Sequence, residues 1–292
     1  LISRQTFMRM CISAVFVALG ITNCIILLNR VTPFGFTDIS MIGDLLTMQN
    51  TNYFTSQQAA ISVVALLLYT LWMVRIFIKG KKLKPRFPYW VKLLFIVGCF
   101  ASVPVTTSTL QGQGVLSCYF GNLAQGYLDY GYLYGFSTSI FNRGMSEPKN
   151  YDQESISAIV DETKQGASTI KEEDRPNIVV ILLESFFDVS EANFIETSED
   201  PIPYVHYLEQ NFSTGHLTVP VVGAGTCNSE FEVLTGMSCR FFGPGEYPQK
   251  TILKKTDCES FAGDLRNLGY SSHVVHNNGG NFYSRANAFS MM

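Results

Sequence analysis

Three stretches of the chain carry residue types that do chemistry. The first is Glu184, which directly follows the apolar run Asn177-Ile-Val-Val-Ile-Leu-Leu183. The second is Gly223-Ala-Gly-Thr-Cys-Asn-Ser-Glu230, with Thr226 at the opening of a helical pattern. The third is His276 to Arg285, with Tyr283 between them. A threonine hydroxyl at a helix N-terminus sits among free N–H groups and the positive end of the helix dipole, which favour an anion such as phosphate. It can attack phosphorus if its pKa is lowered, and a divalent metal does that, with Glu184 as a hard-oxygen ligand. Arg285 offers a planar fork for phosphate, and His276 offers a hydrogen bond or a proton. The second and third stretches also have plainer readings. Gly-Ala-Gly-Thr is a turn with Thr226 as N-cap, and the third stretch is a polar loop with an aromatic anchor.

The elements that must position these residues follow from patterning. Asn177–Leu183 is β-branched and continuously apolar, as in a strand buried on both faces. Leu217–Val222 and Tyr270–Val275 read as further strands. Helical patterns fall at 204–210, 228–235 and 261–268, the last closed by Gly269. Alternating strand and helix predicts an α/β layered domain, in which ligands bind beyond the carboxyl ends of the strands. Glu184, the Thr226 segment and His276 all fall at such ends.

The rest of the 292 residues is of another kind. The chain is 47% hydrophobic and only 15% charged, with a mean hydropathy of +0.14. That composition excludes a disordered chain and argues against an ordinary cytosolic globule. Residues 1–106 hold 10 Lys/Arg against 2 Asp/Glu, a net +8; residues 107–292 hold 11 against 22, a net −11. Three apolar runs, about 7–28, 59–78 and 91–110, each approach the length needed to cross hydrocarbon as a helix. The basic loop Lys79–Arg86 assigns its side to the cytoplasm, so the loop 29–58 and everything after the third run lie outside. The same topology accounts for the lysine cluster, so no nucleic-acid partner is expected. Residues 112–141, rich in Gly, Tyr and Phe, read as a connector, and 154–165 as one short amphipathic helix. Lys171–Pro176 is a charged break. The expected organisation is a transmembrane region at 1–110, an extracellular connector at 111–175 and an α/β catalytic part at 176–292.

Val-Ile-Leu-Leu-Glu184-Ser, with Thr226 in Gly-Ala-Gly-Thr-Cys-Asn-Ser-Glu-Phe and His276-Asn-Asn-Gly-Gly-Asn-Phe-Tyr-Ser-Arg285, resembles the lipoteichoic acid synthase family. That family is a branch of the sulfatase/alkaline-phosphatase superfamily. The resemblance implies N-terminal transmembrane helices followed by an extracellular α/β sulfatase-like domain with a mostly parallel central sheet. It implies a multi-pass cell-membrane enzyme that moves glycerol phosphate from phosphatidylglycerol to a polyol-phosphate or glycolipid acceptor. Thr226 becomes nucleophile and metal ligand, Glu184 a ligand of one Mn²⁺ or Mg²⁺, and His276, Tyr283 and Arg285 contacts to the phosphoglycerol group. Tyr283 stands where family members often have Trp. The family completes its metal site with an Asp-His pair further along, and no Asp-His dipeptide occurs here, so the chain reads as an N-terminal fragment that is inactive alone. Sister activities of the superfamily, ester hydrolysis and phosphoethanolamine transfer, are the alternatives, with a non-enzymatic membrane sensor behind them. Cys227 lacks the Cys-x-Pro-x-Arg context in which sulfatases oxidise cysteine to formylglycine. Asp188 reads as a helper near Glu184 or a turn cap, His206 and His216 as hydrogen-bonding surface residues, and Glu230 as a first-turn charge favouring the helix dipole. Cys118, Cys227, Cys239 and Cys258, on the outer side, are permitted to form disulfides.

Overall fold

The computed structural model describes residues 5–28, 30–43, 56–80, 88–142, 144–145, 148, 150–163, 171–183, 186–221, 225–277 and 279–292. Its contacts divide the chain into two units, one made of 1–144 with 220–292 and the other of 145–219.

In the larger unit, the three apolar runs are helices of 23, 24 and 24 residues: Gln5–Leu27, Ser56–Lys79 and Tyr89–Gly112. Thr6–Leu27 and Tyr89–Gly112 are long and apolar enough to cross a membrane, and neither buries its apolar window in the protein. The first two helices meet at Phe7 and Phe77, whose ring centroids are 4.8 Å apart. The third passes through Pro104 without ending. A helix this long retains its other backbone hydrogen bonds on either side of the missing one. The connector contains two helices that composition alone did not reveal, Leu123–Tyr130 and Tyr132–Phe141, split at Gly131. They are held by stacked rings, with Phe120 against Tyr130 at 5.7 Å, and by side-chain bonds. Gln111 at the end of the third apolar helix donates to the Tyr134 hydroxyl (2.9 Å), which donates to the Ser117 carbonyl (2.8 Å).

The same unit holds the Thr226–Thr235 helix, which begins after Gly225 (φ 85°) and stops at Gly236 (φ 67°). Its apolar face supplies Phe231 to a core with Phe242, Leu253, Ala288 and Met292. The helix Phe261–Asn267 is capped by the Ser260 hydroxyl, which accepts from Gly263 N at 3.0 Å, and is followed by Gly269 at φ 95°. A short helix, Arg285–Ser290, closes the chain's described part before Met291.

The smaller unit carries the helix Gln153–Thr163, where the amphipathic pattern falls, and the helix Pro203–Asn211, which starts on a proline whose missing N–H costs nothing there. The charged break at 171–176 lies inside this unit.

The expected parallel sheet is not formed among the described residues: 177–183, 217–221 and 270–276 run without helix or ladder partners. A strand buried on both faces needs neighbours on both sides. Val179 is 79% exposed and Val275 98% exposed, so the described residues supply none.

Candidate active site

Thr226 is the first residue of its helix, not the cap: Gly225 takes the N-cap position in the left-handed conformation, without a side-chain cap bond. The glycine is required there, since a Cβ would meet Tyr247 Cε1 at 3.2 Å and Val221 Cγ1 at 3.3 Å in a backbone region that L-residues rarely adopt. The turn reading of Thr226 as the capping residue therefore gives way to a glycine turn that places Thr226 in the first helical turn, half-buried. Two side-chain hydrogen bonds tie this turn to the segment 246–249. Asn228 Nδ2 donates to the Glu246 carbonyl (2.9 Å), and buried Gln249 donates through Nε2 to the Cys227 carbonyl.

Cys227, beside Thr226, is fully buried, with its thiol toward Asn228 Oδ1. Burial pushes the thiol pKa far up, and the Glu230 charge adds to the shift. A neutral, enclosed thiol is not a nucleophile. None of the seven cysteines is in a disulfide. Burial likewise raises the Tyr247 phenol, which stays protonated.

Arg285 is only 2% exposed and forms a bidentate pair with Glu230. Its Nη2 donates to Glu230 Oε1 at 2.7 Å and its Nε to Oε2 at 2.9 Å. Glu230 therefore has a specific partner where the helix dipole alone was expected to explain it. Thr226 and Glu230 are four residues apart on one helix, hence on the same face about one turn apart. The pair thus ties the guanidinium to the face that presents Thr226. Phe282 and Tyr283 flank the guanidinium at 5.9 and 5.2 Å. Tyr283 itself is buried against Tyr247 (5.3 Å between centroids). Tyr283 and Ser284 both have positive φ, 54° and 55°, a conformation uncommon for non-glycine residues and one that only surrounding packing maintains. Sequence reading offered no signal for these two dihedrals. His276 is half-buried in the preceding segment. The structure thus brings Glu230, Phe282, Tyr283 and Arg285 together on the helix that Thr226 opens, and the Arg285 fork expected at the phosphoglycerol group is buried and engaged by Glu230.

Glu184 and Ser185 lie outside the described residues, as do 222–224 of the glycine turn and Asn278. Among the described residues, no three His, Cys, Asp or Glu side chains converge as a metal site would require. Of the expected metal pair, Thr226 alone is described.

In the smaller unit, Asp188 accepts from Ser190 N (2.8 Å) and caps a short 3₁₀ turn, Val189–Glu191, as one of its two sequence readings has it. Its other oxygen is 3.1 Å from His206 Nε2, and Asp200 Oδ2 is 2.8 Å from His206 Nδ1. Hydrogen bonds to Asp200 and then Asp188 raise the imidazole pKa to about 9, so His206 is charged at neutral pH.

Residues 176–291 match the sulfatase family model. Over 161 residues the chain is 27% identical to a Rhizobium meliloti (strain 1021) protein named for cyclic beta-1,2-glucan modification. That alignment takes in 55% of this chain and 24% of the relative, so the chain spans about a quarter of the curated relative's length. No solved structure matches. The family match supports the sulfatase/alkaline-phosphatase superfamily for the segment that holds Thr226 and Arg285.

Proposed function

We propose that the chain belongs to a membrane-anchored phosphotransferase that moves glycerol phosphate from phosphatidylglycerol to a hydroxyl on a cell-envelope polymer or glycolipid. The supporting observation is the glycine-led start of the helix Thr226–Thr235, which makes Thr226 the first helical residue, where free N–H groups favour a phosphate, inside the segment that matches the sulfatase family. In the first displacement Thr226 Oγ forms a bond to phosphorus while the bond to the diacylglycerol oxygen breaks, and the threonyl proton ends on the departing diacylglycerol. In the second, an acceptor hydroxyl attacks the glycerophospho-threonine, its proton returns to Thr226 Oγ, and the new diester leaves. Splitting the transfer in this way is covalent catalysis. The helix N-terminus balances the charge that gathers on the phosphoryl oxygens, and Arg285, buried with Nε and Nη2 on Glu230, acts through that pair. His276 and Tyr283 are assigned to the glycerol-phosphate group. One Mn²⁺ or Mg²⁺ with Glu184 and Thr226 among its donors would supply the Lewis acidity that lowers the hydroxyl pKa.

The apolar helices fit this substrate because they hold the site beside its lipid. In this reading the chain is multi-pass, its catalytic part faces outward, and the apolar run 177–183 belongs to the central parallel sheet of the superfamily. The relative named for glucan modification favours a sugar hydroxyl as acceptor. Replacing Thr226 with Ala in the membrane protein that carries this chain tests the reading: transfer of labelled glycerol phosphate from phosphatidylglycerol should be abolished, and retained transfer would remove Thr226 from the mechanism. The sulfatase family match also favours a hydrolase, with water as the final acceptor. Comparing released with transferred glycerol phosphate separates the two.

A further inference from the structure

The loop after the first apolar helix is packed into the Thr226 cluster. Met41, 7% exposed, lies in one buried cluster with Cys227, Tyr247 and Tyr283. Tyr247 is the ring that would crowd a side chain at Gly225, and Tyr283 is the ring against Arg285. Met41 therefore borders the side chains that fix both ends of the candidate site.

The loop is built to hold this position. Arg30 donates to both oxygens of Asp38 (2.9 and 2.6 Å) and to the carbonyls of Thr32 (2.9 Å) and Pro33 (3.1 Å). Asp38 Oδ2 also accepts from Gly35 N at 2.8 Å. Asn23, within the first apolar helix, accepts from Phe34 N (2.8 Å), and Phe36 N donates to Ser139 Oγ (2.9 Å) in the connector. On the other side, Glu246 Oε2 accepts from Gly144 N (2.6 Å) and Gly243 N (3.1 Å), joining the connector's end to the segment that braces the Thr226 turn. Gly243 is needed because a Cβ there would overlap the Asn142 carbonyl. A small cleft lined by Arg30, Asp38, Tyr127, Gly245 and Tyr247 lies along this seam.

We infer that the loop 30–43 is a wall of the Thr226 site and that Met41, locked by the Arg30–Asp38 pair, is a positioning residue for it. Calling Thr226 the reacting group rests on the proposed function, whereas the brace stands on packing alone. Methionine suits the role, because its flexible thioether fills the irregular gap between two tyrosines and a thiol. The consequence is that the site's geometry depends on the membrane half of the same chain: a domain severed from residues 30–43 loses one wall.

The test is hydrogen–deuterium exchange of the chain in lipid nanodiscs, comparing Met41→Ala, Met41→Leu and Asp38→Asn with the parent. Met41→Ala and Asp38→Asn should speed exchange at 225–230 and 282–286 by roughly tenfold while 261–267 is unchanged, and Met41→Leu should restore the parent pattern. In the active membrane protein, Met41→Ala should lower the transfer rate with KM for the lipid unchanged. Unaltered exchange at 225–230, or acceleration spread equally over 261–267, would overturn the brace. Local acceleration in a protein that transfers no glycerol phosphate would uphold the brace and sink the proposed function instead.

Discussion

Residues 225–291 and residues 176–219 both fall in the segment that matches the sulfatase family, yet they are organised by different forces. The first stretch buries its apolar residues and pairs its charges: Phe231 and Leu253 are fully enclosed, and Arg285 is held bidentately by Glu230. The second leaves its most apolar run exposed, and its clearest specific interaction is a half-buried charge cluster around His206. Helix caps and glycine turns form from residues near at hand, whereas a two-faced strand needs neighbours along its whole length.

The sharpest way to break this contrast is at the chemistry it implies. Thr226→Ala should reduce transfer at least on the order of 10³-fold, because the covalent step has no substitute hydroxyl, and Cys227 is neutral and enclosed. A labelled-lipid transfer assay measures it.

Next in size is the clamp. Glu230→Ala strands a guanidinium that is 2% exposed, and should cost about 3–5 kcal/mol in urea denaturation followed in detergent. A loss near zero would mean that the pair carries no structural load. Packing gives the companion measurement: Leu253→Ala should cost about 2–5 kcal/mol, while Val179→Ser in the same chain should stay within about 0.5 kcal/mol. A large loss at Val179 would show the run 177–183 to be packed already, and would dissolve the contrast.

Much of this was legible from residue types. The three apolar helices fall where the hydropathy placed them, because an uncharged stretch of that length leaves few alternatives to a helix. The helix after Gly225 and the one before Gly269 follow from glycine's access to positive φ. What stayed hidden depends on distant partners. The Glu230–Arg285 pair spans 55 residues, and the connector helices are held by rings such as Phe120 and Tyr130 rather than by helical propensity. Met41's position rests on contacts with residues near 227, 247 and 283, which no local pattern encodes. Tyr283 and Ser284 adopt a backbone conformation that their own chemistry disfavours.

The smallest expected effect lies in the second region. His206 titrates near pH 9 with its two aspartates in place. Its folded pKa lies above the unfolded value near 6.5, so its stabilising contribution is complete below that value and disappears as pH rises through about 9. Histidine ring resonances followed by NMR should show the raised midpoint, and Asp200→Asn should lower it; an ordinary midpoint in the parent chain would mean the clamp is absent in solution.

The most direct measurement is mass spectrometry of the peptide that bears Thr226, taken from the membrane protein after a brief exposure to phosphatidylglycerol. The account predicts a glycerophosphoryl group on the Thr226 hydroxyl, lost on adding the acceptor. The same adduct on Cys227, or undiminished transfer from a Thr226→Ala protein with no adduct at all, would contradict it.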